Sequence, residues 1–301
     1  MSTPANSENS PALAPVLSVD AFIPPEMAVK AEIVGVKKAN MGPRNTLALA
    51  VLAGAFIALG AIFATTVTTG ASGQLTFGVG RLLGGLAFCL GLILVVVAGA
   101  ELFTGNNLIV MAWADRKLSL GKVLRNWGLV YTGNFVGSIA TVILMYLSKQ
   151  YMFSNGAVGL NILTIANTKC SLGFVQAIAL GVMCNALVCL AVWLCFSART
   201  TTDKILSIIF PITAFVAAGF EHSVANMYFI PIGLLVKAGA APDFWVAIGK
   251  TAADFPKLNW YNFFIANLLP VTIGNIIGGA VMVGLVYWFI YIRKGLTQLP
   301  G

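Results

Sequence analysis

Charged residues in this chain are so sparse and so clustered that they leave six long apolar runs between them, at roughly 45–69, 78–113, 123–148, 172–197, 204–237 and 262–292. A helix needs ~20 residues to cross ~30 Å of hydrocarbon. No backbone N–H or C=O can be left unpaired at that depth, so runs of this length predict an all-α integral membrane protein. Composition agrees. Of 301 residues, 58% are hydrophobic and 9% are charged, against about 25% charged in soluble domains. The net charge of +8 does not point to nucleic acid, because Lys and Arg stand singly or in pairs at the ends of the runs, where orientation signals belong.

Counting Lys and Arg by side sets the orientation. One side holds Lys30, Lys37, Lys38, Arg44, Arg116, Lys117, Lys122, Arg125, Arg199, Lys204, Arg293 and Lys294; the other holds Arg81, Lys149, Lys169, Lys237, Lys250 and Lys257. The excess on the first side predicts that both termini lie in the cytoplasm. The expected organisation is an N-terminal segment over 1–43, with a short amphipathic helix around Pro25–Lys38, a six-span domain over 44–293, and a tail over 294–301. No signal-peptide pattern precedes the first run, which is therefore read as a retained span. Cys89, Cys170, Cys184, Cys189 and Cys195 fit no zinc spacing, and four of them lie inside apolar runs, where Cys packs as a small hydrophobe. No disulfide, metal or cofactor is expected.

The second and fifth runs are each interrupted by polar residues, and the interruptions match. Residues 98–106 read AGAELFTGN and residues 218–226 read AGFEHSVAN, pairing Gly99 with Gly219, Glu101 with Glu221 and Asn106 with Asn226. The third and sixth runs share GNxxG, at Gly133-Asn134 with Gly137 and at Gly274-Asn275 with Gly278. Each half, 44–148 and 172–293, thus has three spans with a break in its second. Three is odd, so the second copy must insert upside down. Inverted repeats with broken helices are a signature of transporters and channels. The GNxxG glycines also suit close helix packing.

His222, the one histidine in the chain, falls inside the second break. A His at membrane depth faces a bundle interior or cavity, and its ordinary pKa near 6.5 suits proton donation near neutral pH. Holding the bent helix by hydrogen bonds is the alternative. Thr104 stands in the first break, where its hydroxyl could donate to a passing anion or cap the half-helix that follows. Glu101 and Glu221 are the carboxylates inside spans. They would repel an anionic cargo, so the expectation is that they accept backbone N–H groups freed by the breaks. Lys169, before the fourth span, is either an interfacial snorkel or an attractor of anions.

With GAELFTGN, GFEHSVANM and NLLPVTIGNIIGG in view, the chain resembles the formate/nitrite transporter family over roughly residues 25–293. Within it the chain is most similar to bacterial formate channels, through YMFSNGAVGLNILTIANTK and VANMYFIPIG. The resemblance implies an aquaporin-like protomer, a homopentamer in the lipid of the bacterial inner membrane, and one pore per protomer carrying formate or a similar small anion. It also implies two apolar constrictions: Leu92, Leu102 and Phe103 on the cytoplasmic side, and Phe88, Val188 and Phe215 on the other. Thr104, His222 and Asn275 would line the chamber between them, with Lys169 in the outer vestibule and Asn185 nearby. The departure is Cys170-Ser171-Leu172 after Lys169, where similar channels often carry His.

An apolar ring blocks an ion by stripping its hydration, whereas formate, a weak acid, can cross once neutralised, with His222 or linked water as the source of the proton. The same motifs would serve nitrite, hydrosulfide or a short-chain carboxylate. An aquaporin-type water channel would show Asn-Pro-Ala at both half-helix starts, and neither break contains Pro. A membrane oxidoreductase subunit bearing haem needs axial ligands that one His supplies poorly, so no catalytic residue is expected.

Overall fold

The structure is a computed structural model that describes residues 20–71 and 73–293. The expected C-terminal tail, with Lys294, and the first 19 residues lie outside the described residues. The described residues include the helices α1 Pro24–Ala39, α2 Pro43–Thr68, α3 Phe77–Gly99, α4 Val110–Ala114, α5 Leu120–Leu147, α6 Ala157–Cys170, α7 Phe174–Ser197, α8 Thr201–Ala218, α9 Ser223–Gly239, α10 Pro242–Ile248 and α11 Asn262–Tyr291. Among the described residues no strand forms, and α2, α3, α5, α7, α8 and α11 are long and apolar enough to cross a membrane. At 1.5 Å per residue the 26 residues of α2 extend about 39 Å, enough for the hydrocarbon core with some tilt.

Local signals set the helix ends. Pro43 begins α2, where its missing N–H has no helical partner to lose. Thr200 caps α8 reciprocally: its Oγ1 accepts from Asp203 N–H at 3.2 Å, and Asp203 Oδ2 accepts from Thr200 N–H at 2.8 Å. Both halves break at the glycine their motifs share. Gly99 (φ 87°) and Gly219 (φ 79°) hold left-handed backbone, which costs a residue with a Cβ about 1–2 kcal/mol. After Gly99 the chain is extended at Ala100, turns through Thr104, and continues as a 3₁₀ turn over Gly105–Ile109 into α4. After Gly219 it passes Phe220 and Glu221, and α9 starts with His222 as its N-cap.

The GNxxG glycines bring spans together in the same way in each half. A Cβ on Gly137 would overlap the Val51 carbonyl of α2, and one on Gly278 would overlap the Val182 carbonyl of α7. Backbones meeting this closely explain why the third span lies on the first and the sixth on the fourth. The fold is thus two three-span repeats, inverted and each broken in its second span.

Three features go beyond the sequence reading. The stretch before the fourth span is a helix, α6, with Lys169 in its last turn. Just beyond the fifth run the chain bends 110° from α9 into α10. The amphipathic helix α1 is anchored at several points: Lys30 Nζ donates to the Phe196 carbonyl at 2.9 Å, and Lys117 Nζ pairs with the buried Glu32 at 2.6 Å. Burial pushes the Glu32 carboxyl up, and the hydrogen bond from Lys117 pulls against that rise.

Candidate anion pathway

Each break leaves backbone groups that no helix satisfies, and an Asn of the facing span takes them up. Asn134 Oδ1 accepts Phe103 N–H at 2.9 Å while its amide donates to the carbonyls of Glu101 (2.9 Å) and Ala50 (2.8 Å). Asn275 Oδ1 accepts Ser223 N–H at 2.9 Å while its amide donates to the carbonyls of Glu221 (3.0 Å) and Gly181 (2.8 Å). The two sets are equivalent bond for bond. Asn275, expected to line a chamber, therefore directs both amide hydrogens to backbone. Asn185 is similarly engaged, donating to the Asn275 carbonyl at 2.7 Å, to Asn107 Oδ1 at 3.1 Å and to the Thr104 carbonyl at 3.3 Å.

The carboxylates form a second repeated set. Glu101 accepts from Asn106 Nδ2 at 2.7 Å and pairs with Lys38 at 3.0 Å. Glu221 accepts from Asn226 Nδ2 at 2.7 Å and pairs with Lys169 at 2.9 Å. Asn126 and Asn267 complete the sets, each accepting from the break Asn, at 2.9 and 2.7 Å. The sequence reading had these Glu accept freed backbone N–H groups. The structure differs: Asn134 and Asn275 satisfy the backbone, and the carboxylates instead hold Asn amides and an ammonium. Lys169 is correspondingly not a lone cation. A buried carboxylate unpaired would be costly, which accounts for Lys38 and Lys169 reaching inward.

Between the two sets, Thr104 Oγ1 and His222 Nε2 stand 3.0 Å apart, both buried. The motif register pairs Leu102 with His222 and Thr104 with Val224, so this contact joins non-equivalent positions of the repeats. His222 Nδ1 accepts the backbone N–H of Ala225 at 3.0 Å. A backbone N–H can only donate, so Nδ1 is the bare nitrogen and the ring proton sits on Nε2. Nε2–H then donates to Thr104 Oγ1, leaving the threonine hydroxyl hydrogen to donate elsewhere. Thr104 does not cap the following turn through its side chain; its carbonyl is held by Asn185 and by Cys189 Sγ at 3.3 Å.

Two cavities lie near this pair; His222 lines one of them, and Thr104 lines neither. One, of about 430 Å³, is lined by Leu92, Leu102, Glu101, Lys30, Lys38 and Lys204, among others. The other, of about 620 Å³, is lined by Phe88, Phe215, His222, Lys169, Arg81 and Phe229, among others. Phe88 and Phe215 meet edge to face at 5.7 Å, and the Phe215 ring stacks on His222 at 5.9 Å. Leu92 and Leu102 are thus gathered on one side and Phe88 and Phe215 on the other. Phe103 lines neither cavity: its ring packs edge to face on Tyr131 at 4.9 Å and on Trp127 at 6.0 Å. Val188, 1% exposed, also lines neither.

Sequence reading missed Lys38, Arg81, Asn126 and Asn267. In the sequence Lys38 and Arg81 read as orientation signals. Asn126 and Asn267 lie 8 residues before Asn134 and Asn275 in both halves, and that repeated spacing could have revealed them. Among the described residues no group of three His, Cys, Asp or Glu could hold a metal ion.

A family model described as formate/nitrite transporter matches residues 25–289. The chain is 48% identical to the formate channel FocA of Escherichia coli over 91% of its length and 96% of that protein. It is 42% identical to the formate channel FocA of Haemophilus influenzae over 89% and 94%. Its structure is similar to that of a pentameric formate channel with formate bound, with TM-score 0.80 and 48% identity over 83% of this chain and 98% of that one.

Proposed function

The chain belongs to the formate/nitrite transporter family, and from that premise we propose that it conducts a small monovalent anion, formate before others, across the bacterial inner membrane. The protein assembles as a homopentamer with one pathway in each protomer and both termini in the cytoplasm. What supports the choice of formate is the likeness to formate channels over nearly the whole chain. What supports the pathway is the buried Thr104–His222 contact, with His222 in the wall of one of two cavities that each carry cations.

Lys30 and Lys204 on one side, and Arg81 on the other, raise the local concentration of an anion, while the charges of Lys38 and Lys169 are offset by Glu101 and Glu221. Leu92 with Leu102, and Phe88 with Phe215, then oppose a hydrated charge, because stripping its water in an apolar ring is costly. At the centre, His222 Nε2–H orients Thr104, and the threonine hydroxyl donates to the carboxylate oxygen. Donation of a proton by His222 itself would require a second ring proton at Nδ1, where Ala225 N–H already points. The proton that turns formate into formic acid therefore comes from the aqueous phase as an excess proton relayed through vestibule water, and the neutral acid crosses the second ring. Thr104, His222 and Lys169 act on the cargo, Phe103 and Val188 back the rings, and Asn185, Asn275, Glu101, Glu221, Asn106 and Asn226 hold the breaks in shape.

Flux of formate, nitrite, acetate and chloride into proteoliposomes tests this reading. Formate flux that exceeds acetate and chloride, and that falls at least tenfold in Thr104→Val, supports it. Equal leak of all four anions would overturn it.

A further inference from the structure

Arg81 reaches from α3 to the C-terminal end of α8. Its Nε–H donates to the Ala217 carbonyl at 3.0 Å, and its Nη2 donates to the Val216 carbonyl. These carbonyls belong to the last turn of α8, which carries the negative end of the helix dipole; the Val216 carbonyl also accepts Gly219 N–H at 3.1 Å. Left bare, that end would repel an anion in the cavity that also contains Phe215, His222 and Lys169. Arg81 covers it and is held close to the break: a Cβ on Gly219 would lie 3.2 Å from Nη2.

Both bonds use one edge of the guanidinium, formed by Nε–H and the neighbouring Nη2–H. The end edge, formed by Nη1 and the second Nη2 hydrogen, donates to no described residue. A planar guanidinium fixed by one edge presents its other edge in a set orientation, and two parallel N–H groups match the two oxygens of a carboxylate. Lys169, the other cation of this cavity, is already paired with Glu221 and offers a point charge without a fork.

We propose that Arg81 is the specificity-determining residue of the outer vestibule, taking up a planar two-oxygen anion through its end edge before the anion reaches Phe88 and Phe215. This rests on the reading of the chain as a formate conduit. A spherical anion such as chloride meets only charge there and gains nothing from the fork.

Concentration-dependent uptake through the outer face, in proteoliposomes of defined orientation, gives the test with wild type, Arg81→Lys and Arg81→Gln. The Lys variant keeps the charge and loses the fork, so its KM for formate rises about tenfold while its maximal flux holds, the size expected for a lost charge-assisted pair. The Gln variant rises further. A KM unchanged in both assembled variants, with lower thermal stability alone, would leave Arg81 a structural cap and overturn the proposal. A second measurement needs no variant: phenylglyoxal modification of wild type, read residue by residue by mass spectrometry. Formate should slow modification of Arg81, and chloride at equal ionic strength should not; equal rates contradict the proposal. Absent formate flux in wild type would sink the functional reading, while this protection assay still decides the role of Arg81.

Discussion

Lys169 Nζ lies 2.9 Å from Glu221 Oε1, and in the other half of the molecule Lys38 Nζ lies 3.0 Å from Glu101 Oε1. Each carboxylate thus cancels the nearest cation at the approach to the pathway. Glu221→Gln should free the charge of Lys169 and lower the KM for formate from the outer side. Lys169→Met should leave Glu221 uncompensated and reduce flux severalfold, and the double variant should recover part of it. Flux measured across the four proteins as a double-mutant cycle checks this, since groups in direct contact couple by about 0.5–3 kcal/mol. Strict additivity would show that the pair does not act as a unit.

Asn134 and Asn275 make the same bonds in opposite halves, so loss of either should cost the same. Replacing either by Leu leaves one carbonyl (Glu101 or Glu221) and one N–H (Phe103 or Ser223) of a buried break unpaired, at about 1–3 kcal/mol per group. Thermal melts in mild detergent should show both variants strongly destabilised and similar to each other. A well-folded Asn275→Leu variant beside an unfolded Asn134→Leu variant would contradict the equivalence of the repeats.

The break glycines separate backbone strain from crowding. Nothing lies within 4 Å of a Cβ built on Gly99, whereas one on Gly219 meets Arg81 at 3.2 Å. Gly99→Ala should therefore cost only the left-handed conformation, about 1–2 kcal/mol. Gly219→Ala should cost more and also disturb the bonds of Arg81 to α8. Equal shifts in melting temperature for the two variants would show that the Arg81 contact carries no energy.

The anchoring of α1 can be tested through its buried acid. Lys117 is half exposed, so solvent screens its pair with Glu32, while the carboxylate itself is buried. Lys117→Ala should weaken the hold on α1, and hydrogen exchange in Pro24–Ala39 should speed up while α2 stays protected. Unchanged exchange would place the hold on α1 elsewhere, for example in Lys30 and the Phe196 carbonyl.

Much of this was legible in the sequence because bilayer physics leaves few options. Apolar runs fix the spans, and the shared Gly99/Gly219, Glu101/Glu221 and Asn106/Asn226 mark both breaks, because an interrupted helix at membrane depth must carry its own polar partners. Partner choice was not legible. Glu101 and Glu221 could accept from backbone or side chain, and only the packing of α5 and α11 brings Asn134 and Asn275 to the backbone groups first. Lys169 read as a free cation because its partner lies 52 residues away. The contact of Thr104 with His222 was hidden for a related reason: it crosses between the repeats at positions the motif register does not pair.

The proposed pathway turns on the state of His222, and the chain has one histidine, so selective ¹⁵N-histidine labelling gives one unambiguous pair of ring signals. The expected spectrum at about neutral pH shows a proton on Nε2 and a bare accepting Nδ1, with Nε2–H moving when Thr104→Val removes its partner. A spectrum showing Nδ1–H, or an Nε2 signal indifferent to Thr104→Val, would contradict that pathway.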